Sequence, residues 1–340
     1  MPAYPALARL TARHALTETE AQALFDDLMD GRLDSHVVAA VLAALATKGE
    51  TVAEVVGAAR ALRARATPVR VPPGVDAIDT CGTGGDGQPV FNVSTAVAIV
   101  AAAAGATVAK HGNRSNARPS GSAEVLAALG VNIDADVPTL ERCLAQCRIA
   151  FLFAVQLHPA MKHAAPVRRA LGIRTIFNWV GPLTNPAGVR RQLLGVSRPE
   201  AVEMLLNALI RLGAERALVV HGLEGLCDLS VTAPTRVGRW DGRSMTTEEV
   251  DVGVIGAAPA RLADLCIGSP EESAAVIRAV LAGRPGPARE MVVFNAAAAL
   301  WVGGRVAGWV DGAAAARQAI DSGAAAALLD TWIATSHNRA

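Results

Sequence analysis

The sequence predicts an α/β protein: a small all-helical N-terminal domain followed by a larger, predominantly parallel α/β domain. Three observations carry that reading. Up to about Ala66 the apolar residues recur only at helical spacing. A break at Pro68, Pro72, Pro73 and Gly74 follows, the clearest linker in the chain. Beyond it, short apolar runs alternate with helical ones, the pattern of a parallel sheet buried on both faces.

The elements follow in order. Thr17-Glu-Thr-Glu20 reads as a capping box before AQALFDDLMDG, where Ala23, Leu24, Leu28 and Met29 share a face and Gly31 ends the run. Ser35 is expected to cap HVVAAVLAALATKG, which stops at Gly49, and Thr51 opens VAEVVGAARALRARA. Three short-looped helices make a bundle. After the linker, AIDTCG reads as a strand running into a glycine loop, STAVAIVAAAAG as a buried helix and TVAKHG as strand and loop. SAEVLAALG is the next helix; IAFLFA and RALVVHG are further strands. The segment from Pro166 to Pro186, with TIFNWVGPLTNP, is hydrophobic without strand alternation and is expected to fold back on the bundle. The predicted division is therefore residues 1–70 with about 166–190 as the small domain, and 74–165 with 191–335 as the large one. Because HVVAAVLAALA is apolar on more than one face, a homodimer through the small domain is expected.

Composition narrows the function classes. Of 340 residues, 51% are hydrophobic and 19% charged, which excludes a disordered chain. Lys and Arg number 32 against 31 Asp and Glu, a net charge of +1, so nothing drives the chain toward nucleic acid or anionic lipid. The apolar run from Ala96 to Ala109 falls short of the roughly 20 residues of a bilayer span. MPAYPALARL has no secretory apolar segment, so a soluble cytoplasmic protein is expected. The cysteines at 81, 143, 147, 227 and 266 are scattered; only Cys143 and Cys147 share a helical face, and they read as reduced structural thiols, not a zinc site.

Four constellations could carry chemistry. In Asp79-Thr-Cys-Gly82-Thr83-Gly84-Gly85-Asp86-Gly87, closely spaced glycines let a ligand approach the backbone. Asn92, Ser94 and Thr95 then open a helix whose free N–H groups favour an anion. The spacing matches neither a Walker loop nor a dinucleotide fingerprint, and Asp86 suits a ribose hydroxyl or a metal. Lys110-His111-Gly112-Asn113-Arg114-Ser115, followed by Ser120-Gly121-Ser122, suits a phosphate or diphosphate. His158-Pro159-Ala-Met161-Lys162 leads into Arg168 and Arg169, at least one of which is expected to receive a planar carboxylate; His158 and His163 read as structural. His221-Gly222-Leu223-Glu224 to Asp228 can hold Mg²⁺ or form an ordinary turn.

GTGGDG, FNVST, KHGNRS, SGSAEVLAALG, HPAMK, APVRRALGIRTIFN and GPLTNPA together resemble, in order, the motifs of the anthranilate phosphoribosyltransferases. The resemblance covers nearly the whole chain and is densest from Asp79 to Ala187. It implies transfer of phosphoribose from 5-phosphoribosyl 1-diphosphate (PRPP) to the amine of anthranilate in tryptophan biosynthesis, with Mg²⁺ as cofactor. By the same resemblance Gly82, Gly85, Asp86, Asn92, Ser94, Thr95, Lys110, Asn113, Ser115 and Ser122 meet PRPP. Gly82, Asn113 and Arg168 meet anthranilate, and Ser94 and Asp228 hold the metal. The chain departs from the pattern at Cys227-Asp228, where the family usually carries Asp-Glu; a thiol is a poor partner for Mg²⁺. It also departs at Val90, where the family commonly has a hydroxyl residue, and at Asn116-Ala117-Arg118-Pro119, where two hydroxyl donors are lost and Arg118 is expected to restore charge near the diphosphate. Three alternatives stay open. A close paralogue would act on another aromatic acid. A pyrimidine nucleoside phosphorylase shares the architecture but carries a different lysine- and serine-rich loop. A nucleic-acid-binding relative of the fold would need a basic surface that +1 does not supply.

Overall fold

A computed structural model describes residues 4–115 and 119–338. Four helices open the chain: α1 (Pro5–Thr11), α2 (Glu18–Met29), α3 (Ser35–Lys48) and α4 (Val52–Arg63). Capping boxes start α2 and α4, Thr17 with Glu20 and Thr51 with Glu54. Ser35 does not cap α3 as expected: it is the first helical residue, and Asp34 takes the cap position without a side-chain bond. The helix α1, which the sequence reading did not separate, starts on Pro5, whose fixed φ and missing N–H suit a first turn. Glu54 ties the bundle together. Its fully buried carboxylate accepts from Leu16 N–H at 3.0 Å, Thr51 N–H at 2.8 Å and Lys48 Nζ at 2.9 Å.

The larger part begins β1 (Ala77–Asp79), α5 (Val93–Ala103), β2 (Thr107–Gly112), α6 (Ser122–Leu129), α7 (Val137–Cys147), β3 (Ile149–Phe153). Three short helices follow, α8 (Ala154–Leu157), α9 (Ala165–Leu171) and α10 (Phe177–Val180). Then come β4 (Arg191–Gly195), α11 (Ala201–Arg211), β5 (Arg216–Gly222), β6 (Thr235–Trp240) and β7 (Met245–Val250). The chain closes with α12 (Pro270–Leu281), α13 (Pro287–Val302), α14 (Trp309–Asp321) and α15 (Ala324–His337).

The seven strands run in the order β3-β2-β1-β4-β5-β6-β7. The pairs from β3 through β5 are parallel, while β5–β6 and β6–β7 are antiparallel. This hairpin was not foreseen; its outer strand is polar and exposed, with Glu248 and Glu249, which suits an edge. Strand order reverses between β1 and β4. In parallel sheets, ligands bind beyond the carboxyl ends of the strands at such a reversal.

Alternation along the central strands divides two apolar clusters. Leu193, Leu218 and Val220 join α5–α7 and α12–α15, whereas Leu194, Val196, Ala217 and Val219 join α1–α4, α11 and the 164–183 segment. Ala164, Val167, Ile176, Phe177, Trp179, Val180 and Leu183 are thus core partners of the N-terminal helices. Among the described residues no helix is long and apolar enough to cross a membrane.

The contact between α2 and α4 depends on Gly57, where a Cβ would lie 2.5 Å from Glu18 O and 2.7 Å from Gln22 N. Backbone cannot yield there as a side chain can. Gly57→Ala is expected to destabilise the protein by about 1–3 kcal/mol, the usual cost of overpacking, read as a lower midpoint in chemical denaturation. An unchanged midpoint would mean that the helices separate freely.

Candidate active site

Both glycine-containing loops leave the carboxyl ends of adjacent parallel strands, β1 and β2, so they share one rim of the sheet. Asp79, the last residue of β1, holds them together. Its fully buried Oδ1 accepts from Thr80 N–H at 2.7 Å, Cys81 N–H at 3.1 Å and His111 N–H at 3.1 Å. Its Oδ2 accepts from Asn185 Nδ2 at 2.8 Å and from the Cys81 thiol at 3.2 Å. Burial raises the Asp79 pKa, and neighbouring Lys110 opposes that rise. Lys110 is itself buried, which lowers its pKa against the pull of Asp79. Its Nζ lies 3.1 Å from Ser94 Oγ at the start of α5.

The glycine loop lies across the strand-order reversal. Gly82 bridges Gly195 at the end of β4, where a Cβ would meet the Gly195 carbonyl at 3.0 Å. Gly85 has φ +76°, a conformation that favours glycine. Asp86 turns Oδ2 back to accept from Cys227 N–H at 3.1 Å, tying the loop to the 222–230 segment. Ser94, Cys227 and Asp228 line one small cavity with Thr80, Gly195 and Asn295. Glu224 Oε1 accepts from the hydroxyls of Ser230 and Thr232.

The remaining residues divide between rim and interior. Asn113 donates its N–H to Ser122 Oγ at 3.2 Å and is exposed, with Ser115 half-buried beside it. Asn92 is the α5 cap residue, but its side chain is held behind the loop: Oδ1 accepts from Ser120 Oγ at 2.7 Å and Ser273 Oγ at 2.9 Å. Thr95 is fully buried one turn inside. Arg168 stands apart on α9, half-buried, with its guanidinium 5.0 Å from the Phe177 ring centroid. Arg118 lies outside the described residues.

Sequence reasoning missed Arg174. Its guanidinium donates to Gly85 O at 3.2 Å and to Ser197 Oγ at 3.0 Å. The only signal in the sequence was its place in GIRTIFN, six positions after Arg168.

Asp79, Cys81 and His111 offer ligand atoms within 4.8 Å of one another. The hydrogen bonds already taken by both Asp79 oxygens, and the nearby Lys110 charge, do not suit a cation there. Ser94 and Asp228 are the better hard-oxygen pair.

A bundle set on a parallel sheet, with a basic, glycine-lined rim at the strand reversal, defines a glycosyltransferase of two-part build. Residues 4–66 match the helical bundle domain of the glycosyl transferase family, and residues 74–326 its a/b domain. Anthranilate phosphoribosyltransferase of Rhodospirillum rubrum is 48% identical over 328 residues, covering 96% of this chain and 94% of its own length. That of Acetivibrio thermocellus is 45% identical, with 96% and 95% covered. The crystal structure of the Thermus thermophilus enzyme superimposes with a TM-score of 0.92 at 40% identity, over 98% of this chain and 99% of that one. The Saccharomyces cerevisiae enzyme in complex with PRPP and Mg gives 0.85 at 26% identity, over 94% and 93%. The chain belongs to the anthranilate phosphoribosyltransferase family.

Beneath the rim, His111 and His158 are buried with their Nε2 atoms 3.2 Å apart, so one ring donates and the other accepts. Burial lowers the pKa of His111 to about 3 and that of His158 to about 4. Above pH about 6.5, both folded and unfolded chains hold neutral rings. Below it the unfolded chain takes up protons that the folded chain refuses, so stability falls with pH until the buried rings protonate near 4 and 3. Replacing the pair by His111→Gln with His158→Gln is expected to flatten the acid limb of melting temperature against pH. An identical limb would place the acid sensitivity elsewhere.

Proposed function

We propose that this chain transfers the phosphoribosyl group of PRPP to the amine of anthranilate, releasing diphosphate, in tryptophan biosynthesis. The observation that carries the reading is the meeting of the GTGGDG loop, Lys110, Ser94 and Asp228 at one rim of the sheet, in a chain of this family. In this reading Gly82, Gly85, Asp86, Asn92, Ser94, Thr95, Lys110, Asn113, Ser115 and Ser122 surround PRPP, and Asn92 also holds Ser120 and Ser273 in place. Arg168, on the segment packed with the bundle, receives the anthranilate carboxylate, with Gly82 and Asn113 beside the ring. The small domain is then residues 1–70 with about 166–190, the large one 74–165 with 191–335, and the substrates meet between them.

The reaction breaks the bond from the anomeric carbon to diphosphate, whose oxygen keeps the electron pair, and the anthranilate nitrogen bonds to that carbon and releases a proton. Charge develops on the leaving group, so fixed donors matter more than a strong base. Lys110 supplies a buried cation, and the α5 N-terminus supplies N–H groups. The aniline nitrogen is nucleophilic when neutral, so Arg168 contributes chiefly by orientation. Mg²⁺, held by Ser94 and Asp228, would neutralise diphosphate charge. The Cys227 thiol lies 3.8 Å from Gly84 O, against the loop, and leaves Asp228 as the carboxylate of that pair.

Two copies are proposed to pair through the small domain, where Val37, Ala39, Ala43 and Ala46 of α3 are only half-buried. A cytoplasmic setting suits the five free thiols.

Loss of anthranilate fluorescence should require PRPP and Mg²⁺ together; persistence of the signal with all three components would overturn the reading. Arg168→Ala should weaken anthranilate binding about ten- to a hundredfold, the worth of a charge-assisted carboxylate contact. PRPP affinity should stay nearly unchanged. Equal losses for both ligands would assign Arg168 a structural role.

A further inference from the structure

Two arginines precede α10 in the chain, and each lies over one of its aromatic rings. The Arg168 guanidinium sits 5.0 Å from the Phe177 centroid, and that of Arg174 sits 5.1 Å from the Trp179 centroid. Both rings are buried in the small-domain cluster, and Trp179 Nε1 donates to Glu50 Oε2 at 3.3 Å. Arg174 continues out of that cluster. Nη1 reaches the carbonyl of Gly85 in the glycine loop, 3.2 Å away, and Nη2 reaches Ser197 Oγ just beyond β4, 3.0 Å away. The fit is close: a Cβ on Gly85 would stand 3.1 Å from Nη1. Arg174 is half-buried, and its Nε is enclosed without a hydrogen-bond partner, so the planar fork is held by its two terminal nitrogens and the indole face.

A continuous chain of contacts therefore runs from Gly85 through Arg174, Trp179, α10 and Phe177 to Arg168. We propose that Arg174 is a positioning residue that couples the two substrate subsites. The inference rests on the substrate assignment above. Occupation of the glycine loop by a diphosphate group fixes Gly85; Gly85 fixes Arg174 on Trp179; and α10 then presents Phe177 and Arg168 already ordered for the carboxylate. The second ligand meets a site whose ordering cost has been met, and linkage requires the effect to be mutual.

The probe for the loop is magnesium diphosphate, which has no sugar to transfer, and the probe for Arg168 is anthranilate, followed by its own fluorescence. In the wild type, saturating magnesium diphosphate should tighten anthranilate binding about tenfold, within the usual range of coupling between sites. In Arg174→Gln the tightening should fall below about twofold, while anthranilate alone binds within about threefold of wild type. Arg174→Lys should behave like Arg174→Gln, because an ammonium cannot stack as a plane and bond at both ends. Ser197→Ala, which removes one anchor and leaves Arg174 in place, should give intermediate coupling and guards against misfolding of the arginine variants. Wild-type coupling in all three variants, or no coupling in the wild type, would overturn the inference. Failure of wild type to bind anthranilate at all would instead overturn the substrate reading, and the inference with it.

Discussion

The site depends on one buried carboxylate. Asp79 is enclosed at the end of β1, where desolvation opposes ionisation, and five donors converge on its two oxygens. Two of them, Thr80 and Cys81 N–H, set the direction in which the chain leaves β1 toward the glycine loop. A third, His111 N–H, belongs to the end of β2 next to Lys110. A fourth, Asn185 Nδ2, also donates to Ala109 O at 2.8 Å, tying GPLTNP to the same strand. One side chain thus sets the relative position of three motifs far apart in sequence. The buried Lys110 ammonium beside it is tolerable because the carboxylate offsets its desolvation.

The catalytic strategy follows from that arrangement. No general acid or base needs to be found at the rim. Fixed N–H groups and a buried cation at this rim suit charge that appears on a leaving diphosphate. Such donors are effective only if they are fixed before the ligand arrives, and fixing them requires side chains that hold other parts of the site. Asp79 does so within the sheet. Asn92 does so behind α5, holding Ser120 and Ser273 and so joining the two loops to α12.

Much of this was legible in the sequence because local chemistry dictated it. The capping box at Thr17, the helix start at Thr51, the glycine loop after AID and the buried runs of β2 and β3 each follow from nearest-neighbour preferences. What escaped depended on partners distant in the chain. Asn92 reads as a ligand residue from its place in FNVST, and nothing local announces that its side chain also holds Ser273, 181 positions away. Arg174 reads as one more cation after Arg168, and only the fold brings Gly85 to it. Ser35 lost the cap position to Asp34 because one position of helix phase cannot be settled by two adjacent capping residues. The β6–β7 hairpin escaped because its outer strand is polar on both faces, without the apolar alternation that marks a strand.

The claim that Asp79 sets both loops is tested most directly by titrating PRPP with Mg²⁺ into Asp79→Asn in a calorimeter, with the variant's fold checked by circular dichroism. An amide keeps the size and one acceptor, but it removes the charge and sets an NH₂ against the Asn185 donor. The account predicts a folded protein of lower melting temperature whose PRPP affinity falls about tenfold or more, as loss of charge-assisted hydrogen bonds implies. A folded variant that binds PRPP as tightly as the wild type would contradict it.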